Sequence, residues 1–213
     1  MNDPICNTHV LRAGCDLPQA RSALVLLHGR GATSESILPL GLEIADAATA
    51  ILAPQAINGS WYPYSFLAPM EQNEPQLSAS LSMLAELVAQ CAAAGVARRQ
   101  IAIAGFSQGA CLATEFTARN PDSAGALLAF TGGLIGPPKI DLHHAGSLAG
   151  CSALLSSGDP DPHVPWSRVQ ASAEELERMG AQVELLRIPG RPHTVLAVEI
   201  EAARKLLERH FTR

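Results

Sequence analysis

Short apolar runs bounded by turn residues recur along the chain from residue 22 onward. These runs are Ser22–Gly29, Thr49–Ala56, Gln100–Ser107, Gly125–Gly133, Cys151–Gly158 and Gln182–Gly190. Their length and apolar continuity are typical of strands buried on both faces of a parallel sheet. A buried helix segment is the competing interpretation for each run, and the flanking glycines and prolines disfavour it. The pattern therefore predicts a strand at each run.

Between these runs, large apolar residues return every three or four positions, which is the spacing of one helix face. The segments with this spacing are Pro75–Ala94, Trp166–Met179 and Val195–Phe211, and a similar pattern follows Ser107. For the first helix, Asn73 or Glu74 could provide the N-cap, and Gly95 stands where the residue after the C-cap belongs. Strands that alternate with helices predict a three-layer α/β domain with a mostly parallel sheet and right-handed crossovers.

The rest of the chain gives weaker signals. Residues 5–13 could add one or two edge strands, and residues 134–150 form the most loop-like stretch. A length of 213 residues suits one large domain. Because no repeat, low-complexity tract or clear linker divides the sequence, we expect residues 1–213 to form a single domain.

Composition narrows the class of protein. Hydrophobic residues make up 47% of the chain, which suits a globular core and excludes a disordered protein. The net charge is −5 and no Lys/Arg run occurs, so neither a nucleic-acid partner nor a polybasic membrane patch is expected. The five cysteines are odd in number and lack a CxxC pair, which favours reduced thiols over disulfides or zinc. Without a signal-peptide pattern or a membrane-spanning apolar run, we expect a cytoplasmic protein with no membrane insertion.

The strongest chemical motif is Gly105-Phe106-Ser107-Gln108-Gly109, which comes directly after an apolar run and before a helical pattern. This is G-x-S-x-G in its strand–turn–helix context, where the serine occupies a strained turn and the glycines leave room for neighbouring backbone. The turn holds the serine hydroxyl at the N-terminus of a helix, whose positive end favours developing negative charge. The motif predicts Ser107 as a nucleophile.

A serine nucleophile needs a base, and the base needs an orienting acid. On the fold that carries this motif, the order along the chain is serine, acid, histidine. Asp159 and Asp161 follow the strand predicted at 151–158, and His193 follows the next one. Spacing leaves the choice between the two aspartates open, and the one that is not used could hydrogen-bond nearby backbone in its turn.

The other histidines fit the role of base less well. His163 stands too close to Asp161 in sequence, and His210 falls in the last helix, where we expect it at the surface. His28 precedes Ser107 and is interpreted as buried support for the first glycine loop. His143 and His144 are adjacent in the loop-like stretch, where solvation is the simpler interpretation because no acidic or thiol partner has metal-ligand spacing.

An oxyanion hole on this fold takes one N–H from the residue after the nucleophile and one from the loop after the first buried strand. The sequence places Gln108 and Arg30 at these positions. The Arg30 side chain could also meet an anionic group of the substrate, or it could simply be solvated.

The aromatic residues are few and clustered. Trp61, Tyr62, Tyr64 and Phe66 fall within six residues, and Phe106 adjoins Ser107. This clustering favours a substrate pocket wall that includes Trp61, Tyr62 and Phe106, although a surface loop rich in rings is the alternative.

Four sequence blocks together resemble the phospholipase/carboxylesterase family of small α/β-hydrolases. They are LLHGRGAT (26–33), NGSWYPYSF (58–66), GVARRQIAIAGFSQGA (95–110) and SGDPDPHVP (157–165) with GRPH (190–193). The resemblance covers nearly the whole chain and implies an α/β-hydrolase fold without a cap domain, a metal or another cofactor. It implies Ser107, Asp161 and His193 as a catalytic triad, with Arg30 and Gln108 as oxyanion donors.

The first loop departs from part of the family. Acyl-protein thioesterases typically carry an apolar residue where Arg30 stands, so HGRG looks more like the bacterial esterase branch. Family members often form homodimers, and a homodimer is therefore one partner to test for.

These observations predict a serine hydrolase that cleaves carboxylic esters of small to medium acyl chain through an acyl-enzyme intermediate. An acyl thioesterase or lysophospholipase is the alternative, because the same triad cleaves either bond. A nucleotide-binding module is disfavoured, since Ser34 stands where the third glycine of a dinucleotide fingerprint belongs. A non-catalytic ligand receptor is disfavoured by the complete set of triad residues.

Overall fold

The computed structural model describes residues 9–212, and the strands in this part of the chain form one seven-stranded sheet. The strands are β1 (Val10–Gly14), β2 (Ser22–Leu27), β3 (Thr49–Pro54), β4 (Ile101–Phe106), β5 (Ala126–Phe130), β6 (Ser152–Asp159) and β7 (Gln182–Pro189). Their order in the sheet is β1-β3-β2-β4-β5-β6-β7. Strand β1 is antiparallel to its neighbour, and the other pairs are parallel. All six predicted strands are therefore confirmed. The edge strand expected within residues 5–13 is β1, which runs one residue further, to Gly14; residues 5–8 lie outside the described residues.

Burial along the strands follows their place in the sheet. Every residue of β2, β3 and β5 is buried, which is the two-faced burial that continuous apolar runs predict. The same expectation is wrong for β7, where exposed and half-buried residues alternate. Its only sheet neighbour in the described residues is β6, so its outer side is left uncovered.

Helices cover both faces of the sheet. They are α1 (Ser34–Ile44), α2 (Met70–Asn73), α3 (Gln76–Ala93), α4 (Gln108–Arg119), α5 (Trp166–Arg178) and α6 (Ala197–Phe211). Buried side chains of α3, α4 and α5 share one apolar core with one face of the strands. Buried side chains of α1 and α6 share a second core with the opposite face. This is the predicted three-layer α/β-hydrolase architecture.

Helix α1 was not among the predicted helices. It begins with a capping box, in which Thr33 Oγ1 accepts from the N–H of Ser36 (3.2 Å) and Ser36 Oγ accepts from the N–H of Thr33 (3.1 Å). Pro39 and Gly41 interrupt its apolar pattern and hide the helix from a periodicity search. Gly41 packs closely against β2, because a Cβ there would lie 2.7 Å from Cδ2 of Leu26 and the Leu26 side chain would have to shift.

The ends of α3 show which capping expectations hold. The helix begins at Gln76 with Pro75 in the N-cap position, so neither Asn73 nor Glu74 is the N-cap residue, although Oε2 of Glu74 accepts from the N–H of Ser78 in the first turn (3.1 Å). The side chain of Asn73 instead accepts from the N–H of Tyr64 (2.9 Å). Gly95 follows the last turn with φ of +100°, which confirms the predicted C-terminal glycine.

Two histidines expected at the surface are partly or almost fully buried, His144 partly and His210 almost fully. His210 of α6 is buried, with Nδ1 3.0 Å from Ser152 Oγ and Nε2 2.9 Å from the carbonyl oxygen of Arg99. The helix turns Ala203, Leu207 and His210 to one buried face, whereas the predicted stripe ended at the half-buried Phe211. His144, in turn, packs its Nε2 3.6 Å from Oε1 of a buried glutamate on α4.

The irregular stretch 134–150 is tied to the helices by charged side chains. Arg168 of α5 is buried and donates to the carbonyl oxygens of Leu134, Gly136 and Pro137 at 2.8–2.9 Å. Glu115 of α4 accepts from the N–H of Ile135 (2.9 Å). The stretch therefore has a fixed path although it lacks regular structure.

Within residues 9–212, no helix is long and apolar enough to cross a membrane.

Candidate active site

Ser107 lies in the sharp turn between β4 and α4. Its backbone has φ of +56° and ψ of −118°, a conformation that side chains rarely adopt and that marks a nucleophile elbow. The N–H of Ser107 donates to the carbonyl oxygen of Phe130 at the end of β5 (2.9 Å). The elbow is therefore anchored to the neighbouring strand.

The two motif glycines make the elbow sterically feasible. A Cβ at Gly105 would lie 2.7 Å from the amide nitrogen of Ala110, and a Cβ at Gly109 would lie 2.6 Å from the carbonyl oxygen of His28. In the sheet, Leu27 at the end of β2 pairs with Gly105 of β4. The turn, the start of α4 and the end of β2 thus converge where side chains would not fit.

The structure brings Ser107, His193 and Asp161 into one hydrogen-bonded chain. Ser107 Oγ lies 2.9 Å from Nε2 of His193, and Nδ1 of His193 lies 2.8 Å from Oδ2 of Asp161. Oδ2 of an ionised Asp161 accepts from the Nδ1–H of His193, which leaves Nε2 free to accept from the serine hydroxyl. The three residues come from the loops after β4, β6 and β7, as the chain order predicts.

Asp161 is placed by the turn that follows β6. Its Oδ1 accepts from the N–H groups of His163 and Val164, both at 2.9 Å. Burial of the carboxyl opposes ionisation, but the hydrogen bonds from His193 and from these two N–H groups outweigh it and lower the pKa of Asp161. The carboxylate is therefore the form that faces His193 at neutral pH.

Asp159 takes a different role from the turn hydrogen bond expected of the other aspartate. It accepts from the guanidinium of Arg187 on β7, with Nε 2.7 Å from Oδ2. The backbone hydrogen bonds of the turn belong to Asp161 instead. Sequence spacing could not separate these roles, because both carboxylates sit at the same strand end.

Two rings border His193. The ring centroid of Phe106 lies 4.9 Å from that of His193, and the imidazole of His163 meets it edge-on at 4.8 Å. Phe106 is half-buried, so it offers an apolar surface beside the hydroxyl of Ser107. His163, rejected as the base, is a neighbour of His193 in space.

The loop after β2 lies against the elbow. A Cβ at Gly29 would sit 3.5 Å from Cβ of Ser107, so this loop passes within contact distance of the serine. Among the described residues, the N–H groups of Arg30 and Gln108 have no acceptor within the chain. Gln108 begins α4, where the first N–H groups of a helix point outward without partners.

The side chains of Arg30 and Gln108 hold the loop of residues 58–66, here called the aromatic loop. The Arg30 guanidinium donates to Ser60 Oγ and to the carbonyl oxygens of Pro63 and Tyr64 at 2.5–2.9 Å. Cζ of Arg30 also lies 5.8 Å from the centroid of the Tyr62 ring. Gln108 donates to the carbonyl oxygen of Tyr62 (2.8 Å). Neither an anionic substrate nor bulk solvent is needed to account for the Arg30 side chain.

The aromatic loop turns most of its rings inward. Trp61 is 2% exposed and Tyr62 is 1% exposed, while Tyr64 is largely exposed. The indole N–H of Trp61 donates to the carbonyl oxygen of His28 (2.8 Å). Of the three residues expected to line a pocket, Phe106 contacts His193. The side chains of Trp61 and Tyr62 are instead buried in the core beneath the aromatic loop.

His28 supports the first loop, as interpreted from the sequence. Its Nδ1 lies 2.8 Å from the carbonyl oxygen of Gly29, and its Nε2 accepts from the N–H of Ala56 (3.0 Å). Burial lowers the pKa of His28, which favours the neutral ring that these two contacts require. The loops after β2 and β3 are thereby joined beneath Ser107.

The fold and this constellation define an α/β-hydrolase, in which a serine, a histidine and an aspartate meet at the carboxyl ends of parallel strands. A model of the phospholipase/carboxylesterase family matches residues 14–211, and the chain belongs to this family. A comparison with curated proteins found no match. In residues 9–212, no group of three or more histidine, cysteine or acidic side chains is arranged to hold a metal ion.

Solved structures extend the comparison. The chain is 44% identical to a phospholipase/carboxylesterase from Dyadobacter fermentans, with a TM-score of 0.90 over 95% of this chain and 97% of that one. A carboxylesterase from Bacillus cereus is 22% identical, with a TM-score of 0.79 over 96% and 95% of the two chains. A carboxylesterase from Mesorhizobium loti is 21% identical, with a TM-score of 0.74 over 94% and 93%. The last two show the shared fold.

Proposed function

We propose that this hydrolase cleaves carboxylic esters of small to medium acyl chain, with Ser107 as nucleophile, His193 as general base and acid, and Asp161 as the group that orients the imidazole. The observation that carries the proposal is the hydrogen-bonded chain from Ser107 through His193 to Asp161. The ester activity is consistent with the family to which the chain belongs.

The proposed reaction has two steps, acylation of Ser107 and hydrolysis of the acyl-enzyme. Ser107 Oγ attacks the ester carbonyl while Nε2 of His193 takes its proton, and the imidazolium then protonates the leaving alcohol. Water attacks the resulting acyl-enzyme with the same base, and the acid product leaves. Asp161 stays ionised throughout and stabilises the imidazolium.

The tetrahedral intermediates carry a negative oxygen that needs donors. The N–H groups of Arg30 and Gln108 have no partner in the described chain, and they belong to the residues that follow Gly29 and Ser107, which lie within contact distance of each other, so they suit this oxygen. Loss of one such donor typically costs about 10²–10³ in kcat. The Arg30 and Gln108 side chains support these N–H groups by fixing the aromatic loop beside them.

The proposal is tested by hydrolysis of p-nitrophenyl acetate, butyrate and octanoate. Ser107→Ala should lose essentially all turnover and all labelling by a fluorophosphonate probe, because within residues 9–212 no other hydroxyl contacts His193 Nε2. Ser167→Ala, which alters an exposed serine on α5, should keep wild-type kcat and serves as the control. Turnover by Ser107→Ala at the wild-type rate would refute the mechanism.

Substrate preference is read from the same assay. Thioesters of equal acyl length decide between the ester hydrolase and the acyl thioesterase, and a lysophospholipid tests the third activity. A monoanionic ester should gain no advantage over its neutral analogue, because the Arg30 guanidinium is engaged by the aromatic loop.

A further inference from the structure

A buried ion pair lies behind His193. The side chains of Arg191 and Glu199 are both 0% exposed, and Nε of Arg191 lies 3.4 Å from Oε2 of Glu199. Two charges are costly to bury, and an apolar pair of similar volume is often equally or more stable. Stability alone therefore does not account for this pair.

The hydrogen bonds of the pair hold both sides of the histidine loop. Arg191 donates to Thr131 Oγ1 (2.5 Å) and to the carbonyl oxygen of Pro192 (3.2 Å), immediately before His193. Glu199 accepts from Ser156 Oγ (2.6 Å) and, after the histidine, from the N–H of Leu196 (2.9 Å). We call Thr131, Ser156, Arg191 and Glu199 the Arg191 network. It ties the loop between β7 and α6 to the end of β5 and to the interior of β6.

The same strand end also holds the nucleophile. The carbonyl oxygen of Phe130 accepts from the N–H of Ser107, and the next residue, Thr131, accepts from Arg191. Thr131 has φ of +58° and is fully buried, so this corner of β5 is a strained and enclosed piece of backbone. Two consecutive residues thus fix the loops of both partners in the 2.9 Å contact between Ser107 and His193.

We infer that the Arg191 network sets the position of His193 relative to Ser107, with Arg191, Glu199 and Thr131 acting as positioning residues for ester hydrolysis. The inference rests on the proposed function, since the contact matters for rate if His193 is the base. None of the three side chains is hydrogen-bonded to Ser107 or Asp161.

The first experiment separates positioning from stability. In Arg191→Met/Glu199→Gln both charges are removed together and the volumes are kept, so the melting temperature should stay close to that of the wild type. A misplaced base should lower kcat about 10- to 100-fold while KM changes less than about twofold. Arg204→Met/Glu201→Gln removes an exposed Arg–Glu pair on the same helix α6 and should leave kcat, KM and melting temperature unchanged.

A second pair of variants avoids any change in charge. Thr131→Val removes the Oγ1 acceptor and keeps the branched shape, so it should lower kcat several-fold at unchanged KM. Thr131→Ser restores the hydroxyl and should recover most of the wild-type kcat. This pair decides the question even if the double variant does not fold.

Wild-type kcat in Thr131→Val would overturn the inference, and so would wild-type kcat in a folded Arg191→Met/Glu199→Gln. A rise in KM without loss of kcat would also overturn it, because a displaced base does not act on substrate binding alone. The proposed function fails separately, if wild-type Ser107 is not labelled by a fluorophosphonate probe.

Discussion

Asp161 combines two tasks in one carboxylate. One oxygen closes the turn after β6 by accepting from two N–H groups, and the other faces Nδ1 of His193. The turn therefore fixes the carboxylate before any contact with the histidine is made. Asp159, two residues earlier, is half-buried and pairs with the exposed Arg187 instead.

Asparagine at each aspartate should separate these two roles. Asp161→Asn should lower kcat by about 10⁴, because an amide can donate to Nδ1 and favours the wrong tautomer of His193. Asp159→Asn should cost less than about tenfold, since a partly exposed ion pair contributes little. Both kcat values are measured with p-nitrophenyl butyrate, and the reverse ranking would contradict the assignment.

Single residues show what sequence can supply. The G-x-S-x-G motif and the order of the loops were enough to nominate Ser107 and His193, because that chemistry constrains spacing and order. The buried position of His210 and the use of Arg30 and Gln108 to hold the aromatic loop could not be predicted. These depend on contacts between segments thirty or more residues apart, and no local pattern records them.

At the scale of elements, the elbow is a meeting of three backbone segments. The end of β2, the turn at Ser107 and the first turn of α4 approach so closely that Gly105 and Gly109 are both sterically required. Helix α4 is buried along most of its length as a result. This packing holds Ser107 in place as the N-cap residue of α4.

Gly109→Ala should test the packing of the elbow. The new methyl group would overlap carbonyl oxygens of Leu27 and His28, which should cost about 1–3 kcal/mol of unfolding free energy. The loss is measured by denaturant unfolding. Gly29→Ala is the control, because its nearest neighbours lie at 3.4–3.6 Å and the unfolding midpoint should not change. Equal stability of the two variants would show that the elbow can relax.

Element boundaries were predictable where one signal dominates. The central strands follow from continuous apolar runs, and Gly95 ends α3 as expected. Helix α1 was not predicted because Pro39 and Gly41 break its apolar period, although the capping residues at 33–36 were visible in the sequence. The exposure of β7 depends on its place in the sheet order, which a linear pattern does not contain.

At the scale of the whole molecule, charged side chains form ion pairs in the interior as well as at the surface. Glu115 is buried on α4 and pairs with Arg119 (2.7 Å) and with His144 (3.6 Å) from the irregular stretch. Glu175 of α5 accepts from the N–H of His144 (2.6 Å), and Arg178 donates to the carbonyl oxygen of His144 (2.7 Å). The stretch and the two helices are thus coupled through one histidine.

Stability should depend on pH through this histidine. The contact with Glu115 raises the pKa of His144 above its ordinary value of 6.5. Burial opposes ionisation of Glu115, but its partners, with His144 foremost, lower its pKa below 4.5. A histidine whose pKa is raised by folding stabilises the fold at pH values below its unfolded-state pKa. This stabilisation is lost as the pH rises through the folded-state pKa. A carboxyl group whose pKa is lowered by folding stabilises the fold at pH values above its unfolded-state pKa. The contributions of His144 and Glu115 are therefore both present between about pH 4.5 and 6.5.

The measurement is thermal unfolding of His144→Gln against wild type. The difference in melting temperature should be largest near pH 5.5 and should shrink by pH 8.5. His143→Gln, at the exposed neighbouring position, should follow the wild-type curve at every pH. A difference that does not vary with pH would assign His144 a packing role alone.

The distribution of the three residues of the proposed triad along the chain bears on biosynthesis. Ser107 and His193 are separated by 86 positions, and the histidine comes from the loop that precedes the last helix. During translation, the strands that hold the serine can pair long before residue 193 leaves the ribosome. A nascent chain thus carries Ser107 without His193, so under the proposed mechanism activity begins late in synthesis, once the loop after β7 has been made.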